Sequence, residues 1–214
     1  MGNRVVIKFG GADLASGEKM RKAAEMVLMS GYKEIAVVVS AMAGATDNLI
    51  GVLSQIGNVD DRDYAEIVSM GERTSARIFC SALRSLGAEA VYIDPDGENW
   101  PIITDSNFRD AEPDMAKTCE QARRYIEPLL GKKIVVICGF LGRDEKGNIT
   151  TLGRGGSDTT AMVIANCLKA DEVILVKETG GVMSADPKIV SEARSLRKLD
   201  IHEMFALAHG GAKI

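Results

Sequence analysis

Apolar residues along this chain fall into two alternating patterns. Short runs rich in β-branched side chains recur at Val5–Phe9, Ile35–Ser40, Ala90–Ile93, Lys133–Cys138 and Val173–Val176. They are too short for helices and are set off by turn residues such as Gly, Asp or Pro, so each predicts a buried strand. Helical spacing lies between them. Met20, Ala23, Ala24, Val27 and Leu28 share one face, as do Ile78, Ala82 and Leu86, extended by Phe79 and Leu83. Ala161, Ile164, Ala165 and Leu168 form a third such face. Strands alternating with amphipathic helices predict an α/β fold with a largely parallel sheet covered on both faces. Ligands of such sheets bind beyond the carboxyl ends of the strands.

Two stretches interrupt the alternation. Asp94–Asp114, rich in Pro, Asp, Asn and Gly and holding the single Trp, is long for a plain connection and predicts a functional excursion or a short hairpin. Arg143–Ile149 carries Asp-Glu-Lys-Gly-Asn, a turn signal at an expected lobe boundary near 145/146. No internal repeat or low-complexity stretch is evident.

The 214 residues, 46% hydrophobic, suffice for one good core or two small lobes around a cleft. A net charge of −4 argues against a nucleic-acid partner. The start runs straight into a strand, and no apolar run is long enough to span a bilayer, which predicts a cytoplasmic protein without a membrane partner. Cys80, Cys119, Cys138 and Cys167 lie far apart with no metal-ligand spacing, and are expected to be buried and reduced. His202 and His209 stand apart from any acidic or Cys cluster, so no protein metal site is expected. The ten methionines read as packing.

Four segments carry chemistry. Lys8-Phe9-Gly10-Gly11 ends the first strand; two glycines let the backbone approach an anion and a lysine supplies charge, although a plain tight turn reads equally well. Thr151–Thr160 is a Gly-rich loop opening a helix, with Ser157 as its expected N-cap. Arg154 there suits a carboxylate and Asp158 suits orientation of lysines. Val39–Asp47 places Ser40 and Thr46 at a strand end, with Thr46 or Asp47 serving equally as an N-cap. Ser69–Arg77 sets Gly71 and Glu72 in a helical stretch. Glu72 can accept from a ligand amine, but a solvated face bearing Arg73 and Arg77 is the preferred local reading.

Taken in order, these segments resemble the aspartokinases of the amino-acid kinase family over nearly the whole chain. The opening K-F-G-G, the V-S-A-M-x-G-x-T-D of Val39–Asp47, the G-E-R-x-S-A-R of Gly71–Arg77 and the T-L-G-R-G-G-S-D of Thr151–Asp158 are similar to that family's motifs. So are Ile103–Asp114, Gly181–Pro187 and Gly211-Ala212-Lys213. The resemblance implies a three-layer αβα sandwich, with an amino-acid lobe over 1–145 and a nucleotide lobe over 146–214. It implies ATP-dependent phosphorylation of the L-aspartate side-chain carboxylate, with Mg²⁺ accompanying ATP, at the head of lysine, threonine and methionine synthesis. Lys8 would stabilise the transferring phosphoryl group, with Gly10 and Gly11 lining its path. Ser40, Thr46, Glu72, Arg154 and Ser157 would hold aspartate, with Glu72 on the α-amino group and Arg154 on a carboxylate. Asp158 would organise the site's lysines. Lys177, Glu178, Met183, Asp186, Lys188 and Lys213 fall in the nucleotide region.

Departures occur in that last region. Lys177-Glu178-Thr179-Gly180-Gly181 stands where many aspartokinases read T-D-V-D-G, and Met183 stands where they have Tyr. The chain also ends at Ile214, just past the expected G-A-K, whereas family members usually continue into ACT regulatory domains. The resemblance therefore implies a fragment, or a chain completed by a separate regulatory subunit or by a homo-oligomer, without feedback control of its own. The alternatives are a family member acting on glutamate, N-acetylglutamate or a nucleoside monophosphate, and a silent subunit that keeps the fold.

Overall fold

The computed structural model describes residues 3–177 together with Val190, Glu192 and Arg194. Met1–Val176 forms one compact unit and Lys177–Ile214 a second. The elements below belong to the first unit. In chain order they are β1 (Arg4–Phe9), α1 (Gly17–Met29), β2 (Glu34–Val39), α2 (Ala45–Ile56), α3 (Asp61–Ser85) and β3 (Ala90–Ile93). There follow α4 (Met115–Gln121), β4 (Ile134–Cys138), β5 (Leu141–Arg143), β6 (Ile149–Thr151), α5 (Gly156–Leu168) and β7 (Glu172–Val176).

Five strands make one parallel sheet in the order β3-β4-β2-β1-β7. All five expected runs are strands, with ends within a residue of expectation. Right-handed crossovers dictate where the helices go. The chain moves one way from β1 to β2 and on to β3, which puts α1, α2 and α3 on one face. It then moves back through β4 to β7, which puts α4 and α5 on the other. The packing agrees: α3 lies against α1, α2 and the β3-β4-β2 side, and α5 lies against α4 and β1. This is the expected three-layer α/β arrangement. Buried on both faces, β1, β2 and β4 read as near-continuous apolar runs, and Phe9 meets Phe79 with ring centroids 5.5 Å apart.

Several expectations change. On α3 the buried stripe is Ala76, Phe79, Cys80 and Leu83, while Ile78 turns partly outward; Leu28 is likewise exposed at the end of α1. Among the described methionines only Met20 is in the core, and Met26, Met29, Met70, Met115 and Met162 are exposed, so packing does not account for them. Arg73 is not on a solvated face. It is buried against Asp94, at 2.9 Å, and Asp96, and Arg77 also pairs with Asp94 and stacks on Tyr92. Burial alone would raise the Asp94 carboxyl. The Asp96 N–H and the two guanidiniums outweigh it and hold the carboxyl below its ordinary range.

Cys119 and Cys167 are joined in a disulfide, contrary to the reading of four reduced thiols. They are 48 residues apart in sequence, and only the side-by-side packing of α4 and α5 brings them together. Cys80 and Cys138 are free and buried, and burial pushes both thiols up. The Asp94–Asp114 excursion is an irregular connection held by single bridges, Ile103 to Arg143, Thr104 to Pro113 and Asp110 to Leu152, with Trp100 fully buried beneath it. The Arg143–Ile149 turn joins β5 and β6 as an antiparallel hairpin. Among the described residues no helix is long and apolar enough to cross a membrane.

Candidate active site

The carboxyl ends of β1, β2 and β4 open side by side into one cavity of about 380 Å³. Each contributes a short loop. After β1 comes Gly11; after β2, Ser40–Gly44; after β4, Phe140. The loop before α5 and the first turn of that helix close the ring, with Gly153 and Gly155 from the loop and Gly156, Ser157 and Asp158 from the helix. Two of these loops turn into helices through glycines in the left-handed region, Gly44 at φ 78° before α2 and Gly155 at φ 72° before α5. These glycines are the N-caps, so the side chains expected to cap sit one position or more inside. Ser157 is in the first turn of α5 and Thr46 and Asp47 in that of α2, free to face the cavity instead.

Lys8 is buried at the end of β1, with Nζ 2.8 Å from Asp158 Oδ1. The contact is a charge pairing without the alignment of a hydrogen bond. Opposite, α3 presents Glu72, 4% exposed. Its Oε1 accepts from the Ala41 N–H at 3.1 Å, and its Oε2 is buried with no partner. Burial raises the carboxyl from 4.5 to about 7, against the smaller opposing effect of the backbone N–H groups of Ala41 and Glu72 itself. Gly71 allows this approach, since a Cβ there would stand 2.9 Å from the Ala41 Cβ.

Of the residues singled out by sequence, Lys8, Gly11, Ser40, Thr46, Glu72, Ser157 and Asp158 line this one cavity. Gly10 is not in the lining; a Cβ added to it would lie 3.7 Å from Lys8 Nζ. Arg154 is exposed on the α5 loop and does not line the cavity. Lys177 begins the second unit, and Glu178, Met183, Asp186, Lys188 and Lys213, like His202 and His209, lie outside the described residues. Phe140 was missed. It lines the cavity at φ 67°, with its N–H on Thr160 Oγ1 and its ring beneath Gly156. The Gly139-Phe140 pair directly after a buried strand was the available signal.

Charge in the lining is lopsided: it holds Lys8 together with three acidic residues, Asp47, Glu72 and Asp158. Among the described residues no group of three or more acidic, His or Cys side chains is arranged to hold a metal ion.

Fold and cavity together define a parallel α/β domain with a cavity at the switch in direction of its sheet, the place where sheets of this class take their ligands. The sequence model of the amino acid kinase family matches residues 3–214, and the chain belongs to that family. It is 38% identical over 213 residues to an aspartate kinase of Stutzerimonas stutzeri, a match covering 98% of this chain and 50% of the relative. An aspartate kinase of Pseudomonas putida matches to the same extent. The chain thus spans about half the length of these curated relatives. A crystal structure of E. coli aspartokinase III in complex with aspartate and ADP superposes with a TM-score of 0.82 at 29% identity, covering 90% of this chain and 53% of that one.

Proposed function

We propose that this chain is the phosphoryl-transfer portion of an aspartate kinase, moving the γ-phosphoryl group of ATP onto the side-chain carboxylate of L-aspartate. The observation that carries the reading is the cavity itself, whose glycine-rich lining holds both a lysine paired with Asp158 and Glu72, a buried carboxylate with one unpartnered oxygen. The likeness to aspartate kinases supports it.

In this reading the α-ammonium of aspartate meets Glu72 Oε2, supplying the partner that atom lacks and restoring its charge. Ser40, Thr46 and Ser157 donate to the carboxylates, and Arg154 moves in from the loop to grip one of them. The side-chain carboxylate attacks the γ-phosphorus in line. A carboxylate O–P bond forms as the bond to the β–γ bridging oxygen breaks and ADP departs. No general base is needed, because a carboxylate with an ordinary pKa near 4 is already ionised at neutral pH. Lys8 and the Gly10 and Gly11 N–H groups stabilise the transferring group, while Asp158 holds Lys8 in place. Mg²⁺ accompanying the nucleotide would offset the charge of its phosphates. The nucleotide lobe, 146–214, belongs to the same proposal, with Lys177, Glu178, Met183, Asp186, Lys188 and Lys213 as its contacts.

A coupled assay for ADP release tests the reading, with aspartate, glutamate and UMP offered separately. Release with aspartate alone is expected. Release with glutamate or UMP instead reassigns the acceptor, and none with any of the three removes the enzymatic reading.

A further inference from the structure

Beside the proposed phosphoryl path stands a carboxylate that this mechanism does not use. Asp13 Oδ2 accepts from the Gly10 N–H at 3.2 Å, and the Asp13 N–H donates back to the Gly10 carbonyl at 3.1 Å. The pair closes the glycine turn upon itself. Asp13 Oδ2 and Lys8 Nζ approach the same side of Gly10, since a Cβ built there would lie 3.4 Å from the one and 3.7 Å from the other. A negative oxygen therefore already holds one of the N–H groups that an incoming phosphoryl oxygen needs, within reach of the lysine that it also needs.

We infer that Asp13 is a positioning residue, an internal stand-in for the phosphoryl oxygen that keeps the Gly10 N–H oriented until an anion displaces it. The inference rests on the proposed phosphoryl path. Two properties follow. The turn is preorganised, because the Gly10 N–H already points at an acceptor within the chain. The displaced carboxylate then stays close to the phosphates and opposes them, so anion affinity is lower than the glycines and Lys8 alone would give. Asn at this position keeps an oxygen acceptor for the Gly10 N–H but removes the charge, so it separates the two effects; Ala removes both.

The experiment measures binding of inorganic tripolyphosphate to the full chain by calorimetry, for wild type, Asp13→Asn and Asp13→Ala. The Gly10 amide is followed by nitrogen–proton correlation spectroscopy. Removing one charge a few ångströms from the anion, at an effective dielectric between that of water and about 20, predicts binding at least about three-fold tighter in the Asn variant. The gain should shrink at high salt. The thermal midpoint of the Asn variant should stay at the wild-type value, and the Gly10 resonance should move on titration in both. Equal or weaker binding by both variants overturns the inference, as does a Gly10 resonance that ignores the anion. A chain that phosphorylates nothing yet shows tighter binding in the Asn variant would refute the proposed reaction and leave Asp13 as the internal anion.

Discussion

Replacing Glu72 with Gln should make the protein more stable at neutral and alkaline pH, and the size of the gain follows from burial. The folded chain holds this carboxyl at about 7 instead of 4.5 because α3 buries it with Oε2 unpartnered. Between those two values folded Glu72 keeps a proton that the unfolded chain has released. Stability therefore falls as pH rises through this window, and the full cost of an ionised buried carboxylate is present above it. At 1.36 kcal/mol per unit, the shift amounts to about 3 kcal/mol. Glutamine stays neutral throughout and can still accept from the Ala41 N–H. Urea denaturation of both proteins from pH 4.5 to 8 gives the difference, in which all other titrating groups cancel. The curves should come together near pH 4.5 and separate by up to about 3 kcal/mol at pH 8, with the Gln variant the more stable. Parallel curves would refute the reasoning, since they would mean that Glu72 ionises alike in both states. If Glu72 receives the aspartate ammonium, the same variant should lose aspartate affinity at pH 8 while gaining stability.

Two further outcomes follow from the packing. Gly139→Ala would set a Cβ 2.7 Å from Ser157 Oγ and 3.0 Å from the Val39 carbonyl, and the latter cannot swing aside. It should destabilise the protein by about 1–3 kcal/mol in urea melts and displace the start of α5; an unchanged midpoint contradicts this. Reducing the Cys119–Cys167 disulfide releases a cross-link between residues 48 apart and should cost up to about 4 kcal/mol by loop entropy. Coincident urea transitions with and without a phosphine reductant would contradict that.

Periodicity made the parallel sheet readable, because β1, β2 and β4 are buried on both faces and their apolar runs are unbroken. The loops at their ends were readable as motifs but not as geometry. Ser157 looked like a helix cap because the sequence does not reveal that Gly155 takes the left-handed turn and frees it. Arg73 looked solvated because its partners Asp94 and Asp96 are about 20 residues away and meet it only when β3 pairs with β4. The disulfide was hidden for the same reason, as was Asp13, whose role exists only through the curl of the glycine turn. Short apolar strands carry their own signal, whereas contacts between distant polar residues are set by topology.

The central claim is that Lys8, paired with Asp158 at the end of β1, carries the charge that phosphoryl transfer needs. Steady-state ADP release with aspartate should be measured on wild type and Lys8→Ala side by side, with a thermal melt of each. The account predicts active wild type and a variant whose kcat falls by about 10²–10³ while its melting midpoint stays close to the wild-type value. A Lys8→Ala protein with near-normal turnover, or a wild-type chain that releases no ADP with aspartate, would contradict it.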